Sequence, residues 1–242
     1  MNVKLKIFRF DHKTDREPYY ATYVVDAKPT DRLLDCLNKI RWEQDGSLAY
    51  RMSCAHGICG SDGMTINGVS ALACQKLVKD YPTDKEILVE PLSVFPVLKD
   101  LVVDLEPFFA NEKSVHPPSG IAMAEAAEDK EHLQTVEHRR IFDEDIKCIM
   151  CACCVNACPV SQKEDPFYVG PAAVLRAHRY IFDSRIRNQL ERLQIMDKPH
   201  GDWACKMYYR CTTVCPKGIQ VTKHILEVRK RILEDLKKKP TS

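Results

Sequence analysis

The chain has 242 residues, 45% apolar and 29% charged, the balance of a soluble globular protein with room for two ordinary cores. Its net charge of +2 is unevenly spread: residues 1–146 carry 18 Lys+Arg against 25 Asp+Glu, residues 147–242 carry 18 against 9. No apolar run approaches the roughly 18 residues of a membrane span, and no basic run is interleaved with aromatics as a nucleic-acid stacking platform requires, so neither a membrane-spanning nor a nucleic-acid-binding chain is expected.

Taken in order, Val3, Leu5 and Ile7 alternate with lysines, and a polar break leads to YATYVVD, which predicts two strands of a hairpin. Thr30 or Asp31 is the expected cap of a helix whose apolar face carries Leu33, Leu37 and Ile40 and which ends by Gly46. Cys36 shares that face and reads as a buried structural thiol. The segment SCAHGICGSDG follows, then a turn and strand at MTINGV. Cys54, Cys59 and Cys74 fit a plant-type [2Fe–2S] pattern, C-x4-C-x2-C with a distant fourth cysteine, except that the third position is Asp62. Gly57, Gly60 and Gly63 allow the loop to bend so that backbone N–H groups face sulfur. Asp62 is the candidate third ligand, although an Asp-Gly pair also reads as a turn cap, and Ser61 competes from one position out of register. Ile87–Glu90 offers a last strand, Pro91, Pro96 and Pro107 a stiff connector, and Leu98, Leu101, Val102 and Leu105 predict a short amphipathic helix. Residues 111–138 read as a polar surface excursion, with His116, His132 and His138 solvated.

The second half is organised by two cysteine runs. CIMCACCVNACP (148–159) has C-x2-C-x2-C-x3-C-P spacing once Cys153 is passed over, the cluster-binding run of bacterial ferredoxins. CKMYYRCTTVCP (205–216) repeats it with Tyr208 in place of the middle cysteine. In such runs the fourth cysteine serves the other cluster. One cluster then takes Cys148, Cys151, Cys154 and Cys215, and the other takes Cys158, Cys205 and Cys211 with no fourth thiolate. A cube lacking one ligand loses that iron, so a [4Fe–4S] beside a [3Fe–4S] is expected. Zinc is the alternative, but its structural sites want four ligands each, and seven cysteines fill no pair of sites.

Between and after the runs, GPAAVLRAHRYIFDSR begins a helix with Pro171 in its first turn and Val174, Leu175 and Ile181 on the apolar face, where His178 packs. Ile219–Leu236 repeats Ile225, Val228, Ile232 and Leu236 at helical spacing. The cysteines are therefore expected in loops between helices. The basic half offsets thiolate-ligated clusters or faces anionic lipid headgroups.

This order of motifs resembles the iron–sulfur subunit of succinate dehydrogenase and fumarate reductase over nearly the whole chain, including SCAHGICGSDG, PLSVFPVLKDLVVD and GPAAVLRAHRYIFDSR. The resemblance implies an α+β fold: an N-terminal β-grasp plant-type [2Fe–2S] ferredoxin domain over 1–105 and a C-terminal all-α bacterial-ferredoxin-like domain over 106–242. Asp62 as third ligand also occurs in that family. The resemblance further implies a flavoprotein partner that carries FAD and oxidises succinate, hydrophobic membrane-anchor subunits, and quinone as acceptor. The chain would lie peripherally on the cytoplasmic face of an inner membrane, or on the matrix face of an organelle. A quinol:fumarate reductase and a soluble multi-cluster electron carrier are the alternative functions. Many ubiquinone-linked members carry two tryptophans shortly after the Cys-Pro and a histidine after the first cysteine of the second run; here stand Gln162, Lys163 and Lys206. Pro159, Lys163, Lys206 and Tyr208 are accordingly the candidate quinone edge, the lysines either steadying an oxyanion or merely facing lipid phosphates.

Overall fold

The computed structural model describes residues 1–82, 84–116, 122–123 and 131–238. The chain divides into two compact units, Met1–Leu105 with Ile149–Ala157, and Glu106–Cys148 with Cys158–Ser242.

In the first unit, β1 (Asn2–Arg9) and β2 (Tyr19–Asp26) pair antiparallel from Asn2↔Asp26 to Arg9↔Tyr19, the expected hairpin. The alternation of β1 buries Val3, Leu5 and Ile7 while its lysines face out. Helix α1 (Leu33–Lys39), continued by a π-turn over Ile40–Gln44, buries Leu33, Leu34, Cys36, Leu37 and Ile40. Each such aliphatic side chain contributes about 1.5–3 kcal/mol by leaving water. Cys36 is fully buried, and burial pushes its thiol up to about 11. The helix starts later than the sequence suggests. Arg32 is the N-cap residue and its backbone N–H donates to Asp35 (2.9 Å), because the Asp31 carboxylate is drawn back to the Lys28 N–H and to Lys39, each at 3.1 Å.

Strands β3 (Gly63–Ile66) and β4 (Val69–Leu72) form a hairpin about Asn67-Gly68, both at positive φ as a two-residue turn requires. β5 (Ile87–Glu90) runs parallel to β1 and antiparallel to β3, so the strand order is β2-β1-β5-β3-β4. The segment expected as an amphipathic helix is instead a second small hairpin, β6 (Val97–Lys99) and β7 (Val102–Val103). Valines favour extended backbone, and Asp100 turns the chain at φ 48° with its carboxylate committed to distant partners. Asp100 Oδ1 accepts from Arg9 Nε at 2.9 Å and from the Phe10 N–H at 3.1 Å, and Oδ2 accepts from the Ala49 N–H at 2.8 Å. Arg9 also donates to Tyr23 and Asp45. Burial opposes its charge, yet the bonds to Asp100 and Asp45 outweigh it and hold the guanidinium above its ordinary value.

Helix α2 (Glu106–Ser114) opens the second unit and α3 (Val136–Ile141) follows residues 117–121 and 124–130, which lie outside the described residues. His132 and His138 are exposed. His116 is not merely solvated: its Nε2 lies 3.0 Å from Glu112 and its ring packs against Tyr180. The one-turn helix α4 (Cys153–Asn156) belongs to the first unit. Asn156 there donates to Ser70 (2.9 Å) and Thr65 (3.1 Å), which ties it to β3 and β4. In the second unit α5 (Pro171–Ile181) packs on α6 (Gln189–Met196) and on the C-terminal helix; α7 (Arg210–Thr213) is a single turn, and α8 (Val221–Lys238) closes the unit. Ile225, Val228 and Ile232 of α8 are buried, but Leu236 is 43% exposed.

Removing the Asp100 carboxylate strips three donors of their acceptor inside the sheet unit. We expect Asp100→Ala to cost about 3 kcal/mol, the lower end for a broken buried pair because Asp45 still faces Arg9. Thermal unfolding followed by circular dichroism checks this; Asp45→Ala, at a site one quarter exposed, should lower the midpoint less.

Candidate metal centres

The loop between α1 and β3 is wound around its cysteines. Ala55, Gly57 and Gly60 have φ of 55°, 67° and 69°, which turns successive N–H groups inward. Cys54 Sγ accepts from the His56 N–H (3.4 Å) and the Cys59 N–H (3.3 Å). Those donors, with the Ile58 N–H, hold its thiol down at about 6, in the ligating thiolate form at neutral pH. At Gly57 a Cβ would run into the Gln75 side chain, and at Gly60 it would lie 2.8 Å from Cys151 Cβ and 2.9 Å from the Ile149 carbonyl. The Gln75 side chain can move aside, so Gly57 is required by its φ, whereas Gly60 is required by space as well.

Asp62 is 3% exposed, and its Oδ2 accepts the Cys74 N–H at 2.6 Å. The Cys74 thiol faces the same carboxylate and the Gly57 N–H; burial, then Asp62, push it up to about 12. Only a cation between them would let the Cys74 sulfur lose its proton beside that carboxylate, and this thiolate–carboxylate donor set fits iron. Ser61, the competitor for third ligand, instead lies with its hydroxyl 3.1 Å from Cys59 Sγ.

The two later runs repeat each other in backbone conformation. A 3-10 turn, Asp145–Lys147 or Asp202–Ala204, leads into the first cysteine. Positive φ follows two and four residues on, at Met150 (53°) and Ala152 (62°), and at Met207 (57°) and Tyr209 (61°). A one-turn helix comes next, α4 or α7. The torsions thus set Tyr208 opposite Cys151, Cys211 opposite Cys154 and Cys215 opposite Cys158. Cys154 and Cys211 stand in these short helices, not in loops as the sequence suggests. Cys153, passed over in the spacing, is fully buried, and its bond to Cys151 together with burial holds its thiol far above the ordinary range.

Within the second unit Cys158, Cys205 and Cys211 line one cavity, partly open to solvent, with Pro159, Tyr168, Lys206 and Tyr208. Three features here escaped the sequence reading. The Tyr168 hydroxyl is buried in this lining with no hydrogen-bond partner among the described residues, a donor left for a bound group. Thr222 Oγ1 lies 3.3 Å from Cys211 Sγ. Glu164 gathers the mouth, accepting from Lys206 Nζ at 2.6 Å and from the Tyr208 hydroxyl at 2.7 Å. Lys206 and Tyr208 are otherwise exposed, and Lys163 is exposed outside this lining. Three thiols around a cavity with an orphaned hydroxyl fit a three-ligand cluster. Cys148 and Cys215 belong to the second unit, Cys151 and Cys154 to the first, so that ligand set rests on its spacing.

Two families match the chain: a 2Fe-2S iron-sulfur cluster binding domain over residues 4–110 and a 4Fe-4S dicluster domain over residues 144–219. The molecule is an iron–sulfur electron-transfer protein with an N-terminal mixed-sheet ferredoxin domain and a C-terminal helical one. It is 39% identical over 235 residues to the succinate dehydrogenase iron-sulfur subunit of Coxiella burnetii, covering 96% of this chain and 98% of the relative. It is 38% identical over 217 residues to the fumarate reductase iron-sulfur subunit of Mycobacterium tuberculosis, covering 90% and 87%. Among solved structures, a chain of the Mycobacterium smegmatis Sdh1 complex in the apo form matches with a TM-score of 0.89 at 25% identity, covering 100% of this chain and 99% of that one. The chain belongs to the family of iron–sulfur subunits of succinate dehydrogenase and fumarate reductase, components of an oxidoreductase complex.

Substitutions at two positions test the ligand registers. Asp62→Cys should retain a [2Fe–2S] centre with an altered reduced-state paramagnetic resonance spectrum, and Asp62→Ala should lower its occupancy; an unchanged spectrum in both removes Asp62 from the ligand set. Tyr208→Cys should replace an oxidised-state [3Fe–4S] signal by that of a four-iron cube. Persistence of the three-iron signal in that variant means that the register of the second run is wrong.

Proposed function

We propose that this chain is the electron-transfer subunit of a succinate:quinone oxidoreductase. In this reading Cys54, Cys59, Asp62 and Cys74 hold a [2Fe–2S] cluster, Cys148, Cys151, Cys154 and Cys215 a [4Fe–4S], and Cys158, Cys205 and Cys211 a [3Fe–4S]. When bound, such clusters supply one-electron carriers between a two-electron flavin donor and a quinone acceptor. The observation that carries the reading is the three-cysteine cavity with Tyr208 where the first run has Cys151.

The chain's own residues have definable tasks. The inward N–H groups at His56 and Cys59 keep Cys54 a thiolate, and the Tyr168 hydroxyl offers a donor that no acceptor among the described residues takes up. Pro159 and Tyr208 wall the mouth of the cavity, while Lys206, held by Glu164, places a cation there. A quinone site needs an apolar slot beside a polar group that steadies developing negative charge. The partners of this reading are a flavoprotein bearing FAD and hydrophobic anchor subunits. No helix among the described residues is long and apolar enough to cross a membrane. A peripheral position on the cytoplasmic membrane face, with the basic half toward lipid headgroups, suits the charge asymmetry.

The match to a fumarate reductase subunit favours one second reading, the same electron path run from quinol to fumarate. The ratio of succinate-driven quinone reduction to quinol-driven fumarate reduction in the assembled complex decides between them. On that complex Lys206→Ala should lower quinone reduction about tenfold, a loss of about 1.4 kcal/mol and the size of one charge-assisted hydrogen bond. Succinate oxidation by an artificial flavin-level acceptor should be unaffected. Equal losses in the two assays sink the quinone-edge role of Lys206.

A further inference from the structure

Within the helical unit lies a group of side chains that the iron–sulfur reading does not use. Asp145 stands in the turn before Cys148, His178 on α5, and His224 and Glu227 one turn apart on one face of α8. Asp145, His178 and His224 are all buried, His178 at 0% and His224 at 1% exposure, and one donor atom from each lies within 4.8 Å of the others.

The contacts sort into two kinds. Each Nε2 has an orienting carboxylate: His178 Nε2 lies 3.0 Å from Glu227 Oε2, and His224 Nε2 lies 3.2 Å from Glu144 Oε2. Both Nδ1 atoms face Asp145: His178 Nδ1 is 2.5 Å from Oδ2, and His224 Nδ1 is 3.3 Å from Oδ1 and 3.5 Å from Glu227 Oε2. A neutral imidazole has one N–H, so its second nitrogen turns a lone pair toward those oxygens. Asp145 Oδ1 and His224 Nδ1 are buried with no hydrogen-bond partner among the described residues. The two rings are 4.6 Å apart, and charging both in a buried site is disfavoured.

The other cysteine run supplies the contrast. Asp202 occupies the place of Asp145 in the repeat, equally buried, and Arg229 donates to it from Nε at 2.8 Å and to its backbone carbonyl at 2.6 Å. Asp145 has no such guanidinium bond among the described residues: Arg179 acts on it only through its charge, and exposed Lys223 pairs with Glu227 at 4.0 Å.

We propose that Asp145, His178 and His224 form a divalent-metal site of nitrogen–oxygen type, with zinc the ion that this donor set fits. The two Nδ1 atoms and the Asp145 carboxylate are three ligands, and water takes the fourth tetrahedral position. Glu227 and Glu144, each on an Nε2, supply the outer carboxylates that fix ring orientation in such sites. The ion would pin α5 and α8 to the turn that presents Cys148, and would stand where Arg229 stands in the other run.

The test is elemental analysis of the assembled complex, purified without chelators, together with zinc-edge X-ray absorption. The expected result is about one zinc per chain in addition to cluster iron, coordinated by nitrogen and oxygen with imidazole scattering and no sulfur. His224→Ala should remove the zinc and leave the cluster signals in place. If that variant fails to assemble, Glu227→Gln, at a side chain 36% exposed, should still lower zinc content severalfold. Full iron with no stoichiometric zinc overturns the proposal, as does sulfur coordination, or zinc unchanged in the variant that assembles; in those cases the cluster is a proton-bonded network only. None of these outcomes depends on which cluster types the cysteines hold.

Discussion

A thiolate that holds iron inside a protein carries charge away from water, and that charge must be met by donors the chain already owns. Backbone N–H groups meet it only where the chain turns left-handed, because successive amides then point to one side. The cost for an L-residue is roughly 1–2 kcal/mol at each position. Here Ala55, Met150, Ala152, Met207 and Tyr209 all bear that cost, and each lies within a few residues of a cysteine. Glycine appears at Gly57, where the torsion is left-handed, and at Gly60, where backbone also stands too close for a side chain. The rest of the structure serves to hold these strained loops: the mixed sheet and α1 frame the first, and α5 and α8 form the core of the unit that carries the last.

What was legible in the sequence follows from how local each constraint is. Ligand spacing is local, since one loop must present several thiolates to one centre, so C-x4-C and C-x2-C-x2-C were readable without a structure. The correspondence of Tyr208 with Cys151 was readable for the same reason, and the matching torsions at 150 and 152 and at 207 and 209 bear out that alignment of the runs. The hairpin at 97–103 was not readable. Its apolar residues suit a helical face, and the choice is made by Asp100 reaching Arg9, 91 positions away in the chain. Likewise Arg9 continues the buried face of β1, where alternation alone predicts an apolar residue. Glu164, Tyr168 and Thr222 carry no motif; only the fold brings them to the cysteines.

Buried carboxylates show how the two cysteine runs differ beneath their common backbone. Both begin Asp-x-x-Cys, and in both the cysteine N–H donates to the aspartate carbonyl at 3.1 Å, so the turn is the same. The carboxylate is then left inside, and burial raises it to about 7 at Asp145 and about 6 at Asp202. One run answers with a guanidinium, the other with imidazoles. Arginine gives a permanent charge and a fork that also bonds the Cys205 carbonyl. Histidine gives nitrogen lone pairs, which are useful only to a proton or a metal.

The other difference between the runs concerns their middle ligand. A tyrosine in place of a thiolate removes a donor to iron, and at the same position it adds an aromatic wall and a hydroxyl. That hydroxyl does not turn inward to replace the sulfur; it donates outward to Glu164, whose other oxygen accepts from Lys206. In the proposed ligand set, the missing ligand and the polar mouth of the cavity would therefore both follow from one side chain. A cysteine at this position would complete the shell but leave Glu164 with Lys206 alone, so ligand count and the charge at the mouth cannot be changed independently.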